Sequence, residues 1–265
     1  MRTIFDIYSS TQLIWVAVSI FLMGMGKGGF PIGAVALPLL VLVWPEQAGD
    51  TKKVAAFMLP MLCVMDCFAV GFYRNHIDWR RVLPLVPMAV LGVATASVLF
   101  LFGDSFVHLS DRWLKLMIGL IGLMFVAYQI CRKLILNRLS DSEPTRRKAH
   151  GFGFSAGVTS TLAHAAAPLA QMYFLPQGLG KMTLAASMAG FFFILNLVKV
   201  IPYFFSGQFT REGMTLCAMM LPLIPVGVAA GFTSVRMMKG DTYRLFIHII
   251  LFCTSCVLIQ RALAG

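Results

Sequence analysis

Charged residues are scarce in this sequence, and acidic residues are the scarcer kind. Asp, Glu, Lys and Arg make up 12% of the 265 residues, with 11 acids against 22 bases. Together with 58% hydrophobic residues and a mean hydropathy of +0.81, this composition excludes an ordinary water-soluble domain. No cleavable signal peptide is expected, because the first apolar run ends in glycines rather than in a cleavage site. We predict an all-α polytopic membrane protein with a single membrane domain over 1–265.

The cysteines and the positive charge exclude two further classes. The six cysteines lie in or beside apolar segments, so they form no disulfide framework. Cys253-x-x-Cys256 has no neighbouring His or acid, and neither a metal nor another cofactor is expected. Most Lys and Arg residues lie in loops, notably around the central linker, as the positive-inside rule describes. The expected surroundings are therefore membrane lipid, and no nucleic-acid partner is expected.

What is present is a repeat. The only long polar stretch, 137–148, divides the chain near its middle, and a shift of 130 residues aligns Pro38 with Pro168 and Asp66 with Asn196. The predicted segments are repeat 1 at 12–134, a cytoplasmic linker at 135–150 and repeat 2 at 151–263.

Each repeat is predicted to hold a broken or re-entrant helical hairpin followed by three transmembrane helices. Most hairpin arms are shorter than the roughly 17 to 25 residues that a spanning helix needs, so each hairpin is expected to enter and leave on one side. Three crossings per repeat then orient the two repeats oppositely. Loop charge does not separate this arrangement from one in which each hairpin crosses once. The predicted arms are 12–26, 31–43, 152–163 and 166–176, and the predicted spans are 51–72, 82–102, 113–134, 183–205, 213–235 and 243–263.

The first hairpin predicts a binding site. Its apolar run is interrupted near the centre by Gly24, Gly26, Lys27, Gly28, Gly29 and Pro31. Non-helical backbone inside a membrane is tolerated where it packs in protein or lines a wet cavity, and transporters place such breaks at the substrate site. We therefore predict that Lys27, with no evident partner, binds an anion together with the two glycines that follow it. The alternative is that backbone carbonyls hold Lys27 only to stabilise the hairpin tip.

The second break offers hydroxyl groups and an imidazole. Thr159, Ser160 and Thr161 are possible donors to an oxyanion, and His164 follows Ser160 by one helical turn. The site is expected between the two hairpin tips. The alternatives are that the hydroxyls bond carbonyls of their own helix and that His164 is structural.

The remaining intramembrane polar groups form a second set. Asn196 and Lys199 lie one helical turn apart, and the pair is predicted to contact the anion. Asp66 and His164 are possible proton carriers, although Asp66 and Lys199 are near enough to a span end to snorkel instead. His248 is expected to be structural.

Several motifs together resemble the TauE/SafE family of sulfite and organosulfonate exporters, over nearly the whole chain. The resemblance implies an anion exporter of the bacterial inner membrane, with substrates such as sulfite and sulfoacetate, and it is the main reason to expect a homodimer. The motifs are Gly24-Met-Gly-Lys-Gly-Gly-Phe30, Gly157-x-Thr-Ser-x-Leu-Ala-His-Ala, Leu175-Pro-Gln and Asn196-Leu-Val-Lys-Val-Ile-Pro-Tyr203.

The predicted function is export of a small sulfonate or sulfite by alternating access, not catalysis. An inside-negative potential favours anion efflux by about 2.3 kcal/mol per charge per 100 mV, so a coupled ion is optional. The alternatives are export of another small anion, such as a carboxylate, and an intramembrane hydrolase that uses Ser160 with His164 as base. The predicted substrate contacts are Lys27, Gly28, Gly29, Thr159, Ser160, Thr161, His164, Asn196 and Lys199.

Overall fold

The computed structural model of the chain describes residues 4–30, 32, 36, 39–40, 43–45, 51–102, 120, 145–164, 166–205, 207 and 209–264. The hairpin arm predicted at 31–43, the span predicted at 113–134 and most of the linker lie largely or wholly outside these residues. Regular structure in the described part is helical throughout. The helices are α1 Ile4–Ile7, α2 Ser10–Lys27, α3 Thr51–Tyr73, α4 Trp79–Val82, α5 Val86–Phe102, α6 Arg146–Ala163, α7 Ala167–Phe174, α8 Lys181–Phe205, α9 Arg211–Met220, α10 Leu223–Met237 and α11 Gly240–Ala264, with 3₁₀ turns at Leu83–Leu85 and Leu175–Gln177.

Helices α3, α8 and α11 lie close to the bounds of three predicted spans, and the apolar segment Trp79–Val98 corresponds to the span predicted at 82–102. The region predicted as a span at 213–235 consists of two helices, α9 and α10, which are bent by 53°. Pro222 lies at the bend, where it has no N–H to donate and its ring crowds the preceding turn. The predicted linker also ends early, since α6 begins at Arg146.

Four helical segments of the described chain are long and apolar enough to cross a membrane, judged by length and composition. The bent pair α9–α10 makes a fifth if it is counted as one span. The helix α2 is among the four, so the expectation that this hairpin arm is too short to cross is wrong. It starts two residues before the predicted bound at 12, because Ser9 and Gln12 form a capping box at its first turn. The segments are Ser10–Lys27, Ala56–Tyr73, Trp79–Val98 and Lys181–Phe205.

The chain divides into two compact units, and the first consists of Met1–Ile77 and Ala189–Met238. Within it α2 packs along α10 with the two backbones in contact. A Cβ added at Gly24 would lie 3.1 Å from the Gly227 Cα, and one at Gly28 would overlap the Val228 carbonyl oxygen. Small residues at this spacing allow the close helix approach that is common in membrane proteins.

The second unit consists of Asp78–Met188 and Lys239–Gly265. Here α6 packs along α5, and a Cβ at Gly157 would overlap the Ala89 carbonyl oxygen. Arg81 stabilises the end of the second hairpin in this unit through two contacts. Its guanidinium donates to the Gln177 carbonyl oxygen at 3.0 Å and pairs with Asp78 at 3.1 Å.

Candidate functional site

The backbone around Lys27 is more regular than the glycines suggest. Helix α2 continues through Gly24 and Gly26 and ends at Lys27, so the prediction of non-helical backbone at these positions is wrong. The chain leaves the helix at the next two residues, and Gly29 has a φ of 97°, which favours glycine. Tyr73 donates its hydroxyl hydrogen to the Gly28 carbonyl oxygen at 2.7 Å. The helix end beside Lys27 is therefore held in place by α3.

Lys27 is paired with an acid from the neighbouring helix. Its Nζ lies 2.7 Å from Oδ1 of Asp66, and the Asp66 side chain has no exposed surface. The other carboxylate oxygen, Oδ2, accepts a hydrogen bond from Nδ2 of Asn196 at 2.6 Å. The expectation that Lys27 lacks a partner is thus wrong, because α3 brings an acid 39 positions away in the chain into contact with it.

Three features stabilise the charge on Lys27. The first is Asp66, and the second is the face of the Phe192 ring, whose centroid lies 5.0 Å from Nζ. The third is its place in the last turn of α2, where the helix dipole favours a cation. An ammonium has three N–H donors, and the contact with Asp66 uses one of them. The Lys27 side chain keeps 15% of its surface exposed, so it is accessible to a ligand.

Lys199 adds a second cation, which is buried, to the cluster. It is 1% exposed and lies close enough to Lys27 and Asp66 to interact with both electrostatically. Because neither Asp66 nor Lys199 reaches the surface, snorkelling does not describe either side chain. Two lysines and one aspartate give the cluster a formal charge of +1 when all three are ionised. We call Lys27, Asp66, Asn196 and Lys199 the charged cluster.

The hydroxyl groups of the second break lie in the second unit. Thr159 donates to the Ser155 carbonyl oxygen at 2.8 Å, and Thr161 donates to that of Gly157 at 2.9 Å. These are the bonds within one helix that the alternative interpretation describes. Ser160 is buried, and His164 ends α6 with a φ of 50°. The role of these residues in binding stays a prediction.

Two neighbours of the charged cluster are absent from the predicted site. Phe192 lies on an uninterrupted apolar stretch of α8, where nothing in the sequence marks it as the partner of a lysine. Cys63 lies one turn before Asp66 on α3, is partly buried as a free thiol, and interacts electrostatically with Asp66 and both lysines. The spacing of Cys63 and Asp66 on one helix is the single sequence signal that connects this thiol to the site.

The cluster suits a membrane carrier for anions, since it combines the buried cation Lys199 with the accessible ammonium of Lys27 in apolar surroundings. A family model, Sulfite exporter TauE/SafE, matches residues 13–258. The chain belongs to the TauE/SafE family. This membership supports a transmembrane transporter that exports small anions of the sulfite and sulfonate type. No curated protein and no solved structure matches the TauE/SafE chain.

Proposed function

We propose that this TauE/SafE protein exports a short organosulfonate such as sulfoacetate, or sulfite, across the bacterial inner membrane by alternating access. The observation that carries the proposal is the charged cluster, in which the buried Lys199 and the partly exposed Lys27 accompany a single buried aspartate. A buried charge costs several kcal/mol unless it is compensated, so an excess cation in this position creates demand for an anion.

The contacts of Lys27 suit a sulfonate or sulfite oxygen. Its remaining N–H donors form charge-assisted hydrogen bonds, which are stronger than bonds between neutral groups. Asn196 and Lys199 on α8 are the further contacts that we assign to the same ligand. In this proposal Gly28 and Gly29 contribute by letting the backbone turn directly after Lys27.

We further propose that the two halves of the chain are inverted repeats. Helix α2 of the first half packs on α10 of the second, and α6 of the second half packs on α5 of the first. A two-fold relation requires this reciprocal exchange. Asp66 and Asn196, which a shift of 130 residues aligns, are hydrogen-bonded to each other. This contact between aligned positions of the two halves supports the proposed repeat.

Flux of labelled anion in liposomes tests the function. The panel is sulfite, sulfoacetate, taurine, sulfate and acetate, and we expect transport of the first two to exceed that of the others. Lys27→Gln should reduce this flux at least tenfold, because it removes the accessible cation. Lys239→Gln, at an exposed lysine of the second unit, is the matched control and should transport normally. Preference for acetate favours the carboxylate alternative, and chemical conversion of the anion favours a hydrolase.

Native thiols on α3 locate the site. Cys63 neighbours the charged cluster, whereas Cys67, one turn later, is exposed. We expect sulfoacetate to slow alkylation of Cys63 by N-ethylmaleimide and to leave Cys67 unaffected. Equal rates at Cys63 with and without the anion would place the binding site elsewhere.

A homodimer is part of the proposal, supported mainly by membership of the family. A carrier that moves one part against a fixed scaffold gains an anchor from a dimer interface. Native mass measurement in detergent and in bilayers should therefore give twice the chain mass of 29.2 kDa.

A further inference from the structure

Asp66 is the one acid among the buried polar side chains of the described residues. Both of its oxygens have a partner, Lys27 at Oδ1 and Asn196 at Oδ2. Asn196 is neutral, so the compensating charge at hydrogen-bond distance comes from Lys27. Any change in what Lys27 binds therefore changes the electrostatic balance of Asp66.

Anion binding disturbs this balance. A sulfonate that bonds to the Lys27 ammonium shares its charge with the Asp66 carboxylate, and two negative groups then compete for one cation. Like charges at such short range disfavour ionisation, and a buried carboxylate whose partner is withdrawn is strongly destabilised. One proton on Asp66 removes the conflict and leaves an ammonium–sulfonate pair beside a neutral carboxylic acid.

We propose that Asp66 is the coupling-proton site of the carrier, so that one proton binds to Asp66 whenever an anion binds to Lys27. The exchange is balanced in charge and in protons: the Lys27–Asp66 ion pair, one anion and one proton become an ion pair of Lys27 with the anion and a protonated Asp66. The inference rests on the proposed function, because it needs the anion to bind at Lys27. A monoanion carried in this way moves no net charge across the membrane.

Few other ionisable side chains near Asp66 could bind the proton instead. Helix α2 faces it with Lys27 and α8 with Lys199, while Cys63 is on α3 itself. The thiol of Cys217 on α9 donates instead to the Phe57 carbonyl oxygen, and α10 packs Phe232 against Tyr73. Lys199 is therefore the other group whose titration must be separated from that of Asp66.

A proton fits the Asp66 site better than a metal cation does. Asn196 turns its N–H donor toward the carboxylate, whereas Na⁺ and other hard cations need surrounding oxygen ligands. The described residues contain no group of three His, Cys, Asp or Glu side chains that could hold a metal ion.

Calorimetry of the purified full chain with methanesulfonate tests the inference. This probe remains a monoanion between pH 6 and pH 8, so it contributes no proton of its own. Titrations in two buffers with different ionisation enthalpies should report uptake of about one proton per anion at neutral pH. Because the bound state then holds one more proton than the free state, affinity should fall up to about tenfold per pH unit as the pH rises.

Two variants assign the proton. Asp66→Asn mimics the protonated acid, so its anion binding should take up no proton and should lose the pH dependence. The guanidinium introduced by Lys199→Arg stays charged at every pH tested. Anion binding to this variant should therefore still take up about one proton. Uptake that persists in Asp66→Asn, or that disappears in Lys199→Arg, would overturn the assignment to Asp66.

The wild-type titration decides the question even if Asp66→Asn does not fold. Binding with no proton uptake overturns the coupling and leaves the proposed function standing. Absence of methanesulfonate, sulfoacetate and sulfite binding at every pH instead contradicts the proposed function itself.

Discussion

Lys27 and Asp66 compensate each other's charge inside the protein, which changes the expected effect of mutating either one. A cation without a partner is relieved of a desolvation cost when it is replaced by an apolar residue. A paired cation is different, because its removal leaves the partner buried and charged. The 2.7 Å contact places Lys27 in the second class.

Lys27→Met should therefore lose stability as well as anion binding. Removing the ion-pair partner of the fully buried Asp66 carboxylate should destabilise the protein by about 3–5 kcal/mol, measured as a lower melting temperature in detergent. The double variant Lys27→Met/Asp66→Asn removes both members of the ion pair, so it should be more stable than Lys27→Met without recovering anion binding. An unchanged melting temperature in the single variant would contradict a stabilising ion pair.

At the scale of elements, close backbone contact between helices positions the charged cluster. Lys27 ends α2, and the α2–α10 interface fixes this end through Gly24 and Gly28. Gly28 has a φ of −67°, which any residue can adopt, so its requirement for glycine comes from packing alone. Without this approach the α2 helix could not lie against α10 in its present position.

Gly28→Ala is expected to separate α2 from α10. The added methyl group would meet the Val228 carbonyl and the Phe232 amide nitrogen, and overpacking of this kind costs roughly 1–3 kcal/mol or more. The matched control is Gly71→Ala on α3, where nothing lies within 4 Å of the added Cβ. There the higher helix propensity of alanine should stabilise the helix by about 1 kcal/mol. We expect a lower melting temperature and weaker anion binding for Gly28→Ala only. Equal behaviour of the two variants would argue against a tight α2–α10 interface.

At the scale of the whole molecule, the proposed inverted repeats predict on which side of the membrane each loop lies. An odd number of crossings between the hairpins places corresponding loops on opposite faces of the membrane. The loop at 45–50 is then periplasmic and the loop at 177–181 is cytoplasmic, with the basic linker also in the cytoplasm.

Single cysteines test this sidedness in a background without native cysteines. Gln47→Cys and Gly180→Cys should be labelled by a membrane-impermeant thiol reagent from opposite faces. Gly180 has open space for a side chain, so the substitution should not disturb the fold. Labelling of both positions from the same face would refute the inverted repeat.

The sequence by itself determined the membrane class, the approximate places of α3, α8 and α11, and the polar residues worth examining. These follow from local properties, since apolar length and isolated charges are visible within one segment. It also aligned Asp66 with Asn196, which the structure places in direct contact. It did not reveal the bend at Pro222, because a long apolar window conceals a change in helix direction.

Only the tertiary structure decided how the charges are paired. Asp66 reaches Lys27, and Phe192 covers the same ammonium, through contacts between helices far apart in the chain. The glycines near Lys27 suggested an open backbone, whereas Gly24 lies within α2 and Gly28 just after its end, both in contact with α10. The same glycine pattern is compatible with a broken helix and with a close contact between two helices. Which of the two forms depends on the neighbouring helix that packs against the glycines.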